Sequence, residues 1–190
     1  MMDETDVLAA LRRREPEALA MVFEQHSNQI YRLAMSLLHD DQQADGVVQN
    51  TFLALIEHID RFEGRARLGT WLYRVAYHEC IGRLRKAKPH VNVDDMEEGD
   101  FMPACLVDWE SLPEQTIASQ EAMTAMESAI NNLPPTLRAV FTLRDVEELS
   151  TRETADILGI SEAAVKVRLH RARLALRERL STYFEEYTQL

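Results

Sequence analysis

The side chains best equipped for chemistry in this sequence are basic and clustered, and their chemistry is that of gripping phosphates and base edges. From Lys166 to Arg179 the chain carries Lys166, Arg168, Arg171, Arg173, Arg177 and Arg179 against Glu178 alone. Guanidinium forks suit phosphate and guanine, and the Lys ammonium adds a point charge. At helical spacing Val165, Leu169, Ala172 and Leu176 form an inward stripe. That leaves Val167, His170 and Arg171 outward, with Lys166 and Arg173 at the edge. A second basic run holds Arg61, Arg65, Arg67, Arg74, Arg83, Arg85, Lys86 and Lys88 against Glu63 and Glu79. Within it, Leu72, Ala76, Cys80 and Leu84 share one helical face, with Tyr73 and Tyr77 at its margin. Trp71, Arg74, His78, Gly82 and Arg85 share the other. A basic face beside an aromatic ring can stack an unpaired base and hold its phosphates. The same pattern equally describes a solvated face with Trp71 tucked against a neighbour.

Catalytic and metal chemistry find little support. His78 and Cys80 stand two apart, and such residues diverge on a helix, so they cannot share a metal. No glycine-rich phosphate loop and no paired acid–base constellation is present. The expectation is a protein that is not an enzyme, with no cofactor and no metal.

Short helical elements must position these groups. Leu19, Val22, Phe23, His26, Ile30, Leu33 and Leu37 recur at three- and four-residue steps. After a break at His39-Asp40-Asp41, a second stripe runs through Ala44, Val47, Val48, Thr51, Phe52, Leu55, Ile56 and Ile59. A loop from Gly64 to Gly69 leads to a helix predicted over about Thr70 to Lys86, closed by Pro89. Periodicity lapses from Val91 to Leu112, where Asp94, Asp95, Glu97, Glu98 and Asp100 crowd together. This reads as a linker, although Phe101, Met102, Leu106, Val107 and Trp109 make it more apolar than a passive spacer needs. An amphipathic helix resumes near Pro113 and ends at Asn131-Asn132. Ser150 and Glu153 then form a capping box, Gly159 supplies a left-handed turn, and Ser161 caps the basic helix. A short helix, a glycine turn and a basic amphipathic helix make a helix-turn-helix. The fold class is all-α: two small helical domains, 1–90 and 113–184, joined by an acidic linker over 91–112.

Composition bounds the same picture. The 190 residues are 46% hydrophobic, with only 6 glycines and 6 prolines, which disfavours a turn-rich β fold. No apolar run approaches the roughly 20 residues of a membrane span. The N-terminal residues are charged and carry no apolar signal core, and two cysteines make no disulfide framework, so a reduced cytoplasmic setting is expected. A net charge of −11 opposes nucleic-acid binding as a bulk property, but two basic patches flanking an acidic connector suit contact at two places.

With these residues in view the chain resembles the extracytoplasmic-function sigma factors of RNA polymerase. Leu133-Pro134 through Arg138, Leu143-Arg144-Asp145, Leu158-Gly159-Ile160-Ser161 and Arg168-Leu169-His170-Arg171-Ala172-Arg173 resemble the family's −35-reading domain. Tyr31-Arg32-Leu33-Ala34, Ala44 through Phe52, and Thr70-Trp71-Leu72-Tyr73-Arg74-Val75-Ala76 resemble its core-binding and −10-reading domain. The resemblance spans nearly the whole chain in the right order. It implies core RNA polymerase and promoter DNA as partners, and an anti-sigma factor as a further one. Asp45, Val48, Gln49, Phe52 and Leu53 are the implied polymerase contacts, with Val48 and Phe52 equally suited to the core. Trp71, Arg74, Tyr77, His78, Arg83 and Arg85 are the implied −10 contacts. Lys166, Val167, Arg168, His170 and Arg171 are the implied −35 contacts. The acidic linker resembles the segment that threads the polymerase, with a solvated tether as the plainer alternative.

The sequence departs from the family pattern at a few places. Gly46 stands where an acidic residue is usual, Asn50 where Glu is common, His78 for Asn, Gly82 for Asp, and Ala163-Ala164 for Gly-Thr. The competing function is a stand-alone helix-turn-helix regulator that binds DNA without polymerase. Such a protein needs no Val47-to-Leu55 stripe with Gln49, and co-purification with core polymerase separates the two.

Overall fold

The computed structural model describes residues 3–64, 66–87 and 120–188. The acidic linker and the expected helix start near Pro113 lie outside these residues. Among the described residues every regular element is helical.

Asp3 opens the chain's first helix, α1 (Glu4–Arg12), by accepting from the Glu4 amide at 2.8 Å, and α1 buries Ala10 and Leu11. No element was expected here, because the apolar stripe read from the sequence begins only at Leu19 and nine residues are a short window for a period. Helix α2 (Pro16–Leu38) starts with Pro16 in its first turn, where the missing amide costs nothing. It ends at His39 in the left-handed conformation, φ 54°. Asp40 then caps α3 (Asp41–His58) by accepting from the Gln43 amide at 2.8 Å, so the expected break is a C-cap followed directly by an N-cap. A short 3-10 turn (Ile59–Arg61) and Gly64, at φ 70°, lead into α4 (Leu68–Ala87). Helices α2, α3 and α4 pack on one another around Ile30, Leu33, Leu37, Val47, Leu55 and Leu72, all at most 1% exposed.

The second half begins with α5 (Gln120–Asn131) and the break at Leu133-Pro134. Pro135 sits in the first turn of α6 (Pro135–Phe141), which runs on into a single π turn, Thr142–Val146. The capping box forms as expected: Ser150 Oγ accepts from the Glu153 amide at 3.1 Å, and Glu153 accepts from the Ser150 amide at 3.0 Å. The Ser150 hydroxyl also donates to the Glu153 carboxylate at 2.6 Å, and this bond, then that from the Ser150 amide, with Arg67 nearby, hold the carboxyl below its ordinary pKa. Helix α7 (Thr151–Leu158) ends at Gly159, φ 69°, a conformation that L side chains enter only with strain. Ser161 Oγ accepts from the Ala164 amide at 3.1 Å and starts α8 (Glu162–Thr188).

The halves do not stand apart. Helices α2 and α4 pack against α6, the π turn and α7. One apolar cluster runs through both, joining Leu33, Leu37 and Ala76 to Val140, Leu143, Ile157 and Val165. A second, built from Ala129, Leu133, Leu137, Ala172, Leu176 and Leu180, belongs to the C-terminal half.

Candidate nucleic-acid interface

The inward stripe of α8 is as the spacing requires, with Val165, Leu169, Ala172 and Leu176 all buried. Lys166, Val167 and His170 are exposed, Val167 at 50%, while Arg168 and Arg171 are half-buried. Arg173 has another task. Its Nε and Nη2 donate to both oxygens of Asp145 at 2.8 and 2.7 Å, bracing α8 against the π turn. Lys166, Val167, His170 and Arg171 therefore share the outward side of a capped, braced helix, with Arg168 at its margin beside the buried stripe, and the short partner α7 precedes it across the Gly159 turn. Such a helix can enter a major groove, with its stem carbons lying along the groove wall.

On α4, Arg74, His78 and Arg85 are exposed. Trp71 is half-buried, with its ring edge-on to Phe62 at 6.0 Å between centroids, so the ring is partly tucked and partly presented. His78 is pulled below its ordinary pKa by partial burial and by Arg74 and Arg85, so at neutral pH it is an uncharged donor and acceptor. Two expected members of this face are placed differently. Tyr77 is buried, beside the His78 ring at 5.7 Å, on a helix against which α7 of the other half packs. The Arg83 guanidinium is drawn to α3: Nη1 donates to the Gln43 carbonyl and Nε to Glu79 Oε1, each at 3.0 Å.

On α3, Asp45 and Gln49 are exposed, and Leu53 is 56% exposed. Val48 and Phe52 are buried, with the Phe52 ring 4.8 Å from that of Phe23. Phe23, read from its spacing as a core residue, is 45% exposed, and Ile56 is also exposed. Together with Leu53 they are exposed apolar side chains on α2 and α3.

Family models match in two blocks: sigma-70 region 2 over residues 22–90, and sigma-70 region 4 over residues 123–176. The ECF RNA polymerase sigma factor SigW of Bacillus subtilis is 33% identical over 173 residues, covering 90% of this chain and 92% of its own. The chain belongs to the ECF sigma factors of RNA polymerase. The solved structures agree in fold. CnrH, in complex with the cytosolic domain of CnrY, superposes with a TM-score of 0.66 at 22% identity, over 93% of this chain and 96% of its own. The sigma factor RpoE of Bartonella quintana, in complex with the anti-sigma factor NepR, gives 0.64 at 24%, over 85% and 96%.

The structure of this sigma factor accounts for two of its departures from the family pattern. A Cβ on Gly46 would stand 3.0 Å from both terminal nitrogens of Arg83, so the bare glycine leaves room for the guanidinium to lie across α3. Asn50 donates to Glu79 Oε1 at 2.8 Å, the same oxygen that Arg83 engages. Burial alone would raise the Glu79 carboxyl, but the bonds from Asn50 and Arg83 outweigh it and hold the pKa low. Gly46, Asn50, Glu79 and Arg83 thus form one brace between α3 and α4. A glycine and an asparagine separated by one turn on α3, with Glu79 and Arg83 one turn apart on α4, is the signal the sequence held. Cys80 is fully buried and its thiol is pushed up to about 12 by burial, so it is a core residue. Among the described residues no cluster of His, Cys, Asp and Glu could hold a metal, and no helix is long and apolar enough to cross a membrane.

Proposed function

We propose that this sigma factor divides its work among three helix faces, all on a chain that does no chemistry of its own and acts in the cytoplasm. It directs core RNA polymerase to specific promoters and starts transcription there. Lys166, Val167, Arg168, His170 and Arg171 of α8 read the −35 element in the major groove. Trp71, Arg74, His78 and Arg85 of α4 take the −10 element, and His78 and Trp71 engage the strand as it unpairs. Tyr77 and Arg83 support that face from beneath and from the side. Asp45, Gln49 and Leu53 meet core polymerase, with Val48 and Phe52 fixing the surface from the core. The working units are residues 1–90 and 113–184, with 91–112 between them, and an anti-sigma factor is the further partner.

The observation that carries this reading is the coexistence, on one chain, of a braced basic recognition helix and a second basic face flanked by a half-exposed tryptophan. A stand-alone regulator needs only the first. Extruding a base costs a few kcal/mol, and stacking at roughly 1–3 kcal/mol per base offsets part of it. The test is transcription by core polymerase with the purified chain on a randomised promoter library, followed by His78→Ala on the selected promoter. His78→Ala should slow open-complex formation on duplex DNA, and a premelted bubble should restore much of the activity. A chain that selects no promoter with core polymerase, yet binds DNA specifically alone, would favour the regulator.

A further inference from the structure

Helix α4 starts without a cap from its nearest neighbours. Arg65, Ala66 and Arg67 precede Leu68, and none of them carries the side-chain oxygen that satisfies a first-turn amide. The oxygen comes from α1 instead. Glu4 Oε1, in the first turn of that helix, accepts from the Leu68 amide at 2.6 Å across a separation of 64 residues. The same helix holds the other end of the loop: Arg12 Nη2, in its last turn, donates to the Phe62 carbonyl at 2.8 Å. Just past α1, Arg14 Nη2 donates to Asp60 Oδ2 at 2.7 Å, and its Nη1 donates to the Ile56 carbonyl.

Arg14 makes these contacts from the left-handed conformation, φ 61°, which a residue with a side chain adopts at a cost and keeps only where its surroundings enforce it. Glu4 and Arg12 lie about 12 Å apart along α1, so one rigid helix sets the separation of Phe62 and Leu68. Between these two buried anchors the backbone runs outward. Glu63, Gly64, Ala66 and Arg67 are exposed, and Gly64 turns the chain at φ 70°.

Both anchors bear on Trp71. The Phe62 ring is its edge-on neighbour, 6.0 Å away between centroids. Leu68 opens the turn of α4 on which Trp71 stands, and the Trp71 amide donates to the Arg67 carbonyl at 3.1 Å. Stacking needs a ring in place, because a gap of about 0.5–1 Å forfeits a quarter to a half of the contact attraction. A shift of either anchor therefore changes how well Trp71 holds a base.

We infer that α1 is a specificity-determining element for the −10 step. Glu4 and Arg12 are positioning residues: they pin both ends of the loop from Phe62 to Leu68, and through Phe62 and the start of α4 they set where Trp71 meets the unpaired base. They act through the loop and not by contact with DNA. This rests on the assignment of Trp71 to the −10 element.

A helix that only stabilises the fold and one that positions Trp71 differ in what their loss moves. Lost stability lowers the fraction of active chain and reduces transcription from every promoter alike. Lost position changes the ratio between promoters that differ at −10 and spares the ratio between promoters that differ at −35. Holoenzyme made with the full chain is therefore compared on the promoter selected from the library and on single-base substitutions in each element. One wrong base typically costs roughly fivefold to 150-fold. With Glu4→Ala and Arg12→Ala together, the −10 ratio should shrink by roughly fivefold, the low end of that range, and the −35 ratio should stay. Glu4→Gln keeps an acceptor for the Leu68 amide and should discriminate as wild type does. In parallel, Trp109→Phe leaves Trp71 as the sole tryptophan, and acrylamide quenching of its emission in the free chain should rise in the double alanine variant. The positioning role is overturned if quenching is unchanged, if the −10 ratio holds or falls together with the −35 ratio, or if Glu4→Gln loses as much as Glu4→Ala. Trp71→Ala checks the underlying assignment: a −10 ratio that survives it removes Trp71 from the unpaired strand, and the quenching comparison still decides whether α1 positions the ring.

Discussion

Replacing Arg83 with alanine separates a structural brace from a DNA contact, two roles that one basic residue on α4 could fill. The side chain is 24% exposed and makes two hydrogen bonds of 3.0 Å, one to the Glu79 carboxylate and one to the Gln43 carbonyl. A hydrogen bond to a charged group contributes about 1.5–3 kcal/mol when fully buried. Here Glu79 is 35% exposed and keeps its bond from Asn50, so truncation leaves no orphaned buried charge. Solvent screening of so open a pair brings the expected loss to about 1 kcal/mol. For a chain of this size that lowers the thermal midpoint by about 2–4 °C. A phosphate contact behaves otherwise: its loss barely changes stability and reduces the salt slope of promoter binding by about one. Calorimetry of the free chain and salt titration of holoenzyme–promoter binding read the two effects independently. Arg83→Ala should lower the midpoint and leave the slope unchanged, whereas Arg74→Ala, exposed on the same helix, should do the reverse. An unchanged midpoint with a reduced slope for Arg83→Ala would refute the brace and return Arg83 to the DNA.

Other expectations follow from single features. Gly159→Ala should cost about 1–2 kcal/mol in urea unfolding, because its φ of 69° is left-handed while nothing lies within 4 Å of the added methyl. Gly159→Asn should cost less. Lys166→Ala and Arg171→Ala should each weaken promoter binding, by about 1–3 kcal/mol where a bidentate base contact is lost, with circular dichroism unchanged. His26, His39 and His78 are all held below their ordinary pKa by burial, with nearby arginines adding to the shift at His39 and His78. A lowered folded pKa means that the unfolded chain takes up protons first. Stability is therefore full above the ordinary value near 6.5 and falls as pH drops from there through the folded values. His26→Gln should flatten part of that decline in urea unfolding between pH 7 and 5, and an identical slope would assign the decline to other groups.

Much of this molecule is written locally. The stripes that build α2, α3, α4 and α8, the capping box at Ser150 and Glu153, and the left-handed turn at Gly159 each depend on residues within a few positions of one another. Spacing and backbone preference decide them before any distant contact forms. The sequence likewise separates the outward face of α8 from its buried one. Burial on α4 is a different matter. Tyr73 and Tyr77 lie at the margin of its apolar stripe by spacing, and they are buried in the cluster that α4 shares with the C-terminal half, some seventy to eighty residues further along. Phe23 shares a period with true core residues, yet it is 45% exposed, because among the described residues its neighbours, Phe52 included, cover only part of the ring. Arg83 has the composition of a phosphate contact and the position of a brace, a difference that follows from Gly46 and Gln43 on another helix. Glu147 carried no signal as an isolated acid in a loop, yet it joins α2, α4 and the π turn. The sequence by itself determined the long helices, though not α1, and which of their faces are basic, because those properties are set by neighbours three and four residues away. Only the tertiary structure decided which side chains at the edges of those faces are covered, braced or left bare, because that depends on which surfaces meet across long separations in the chain.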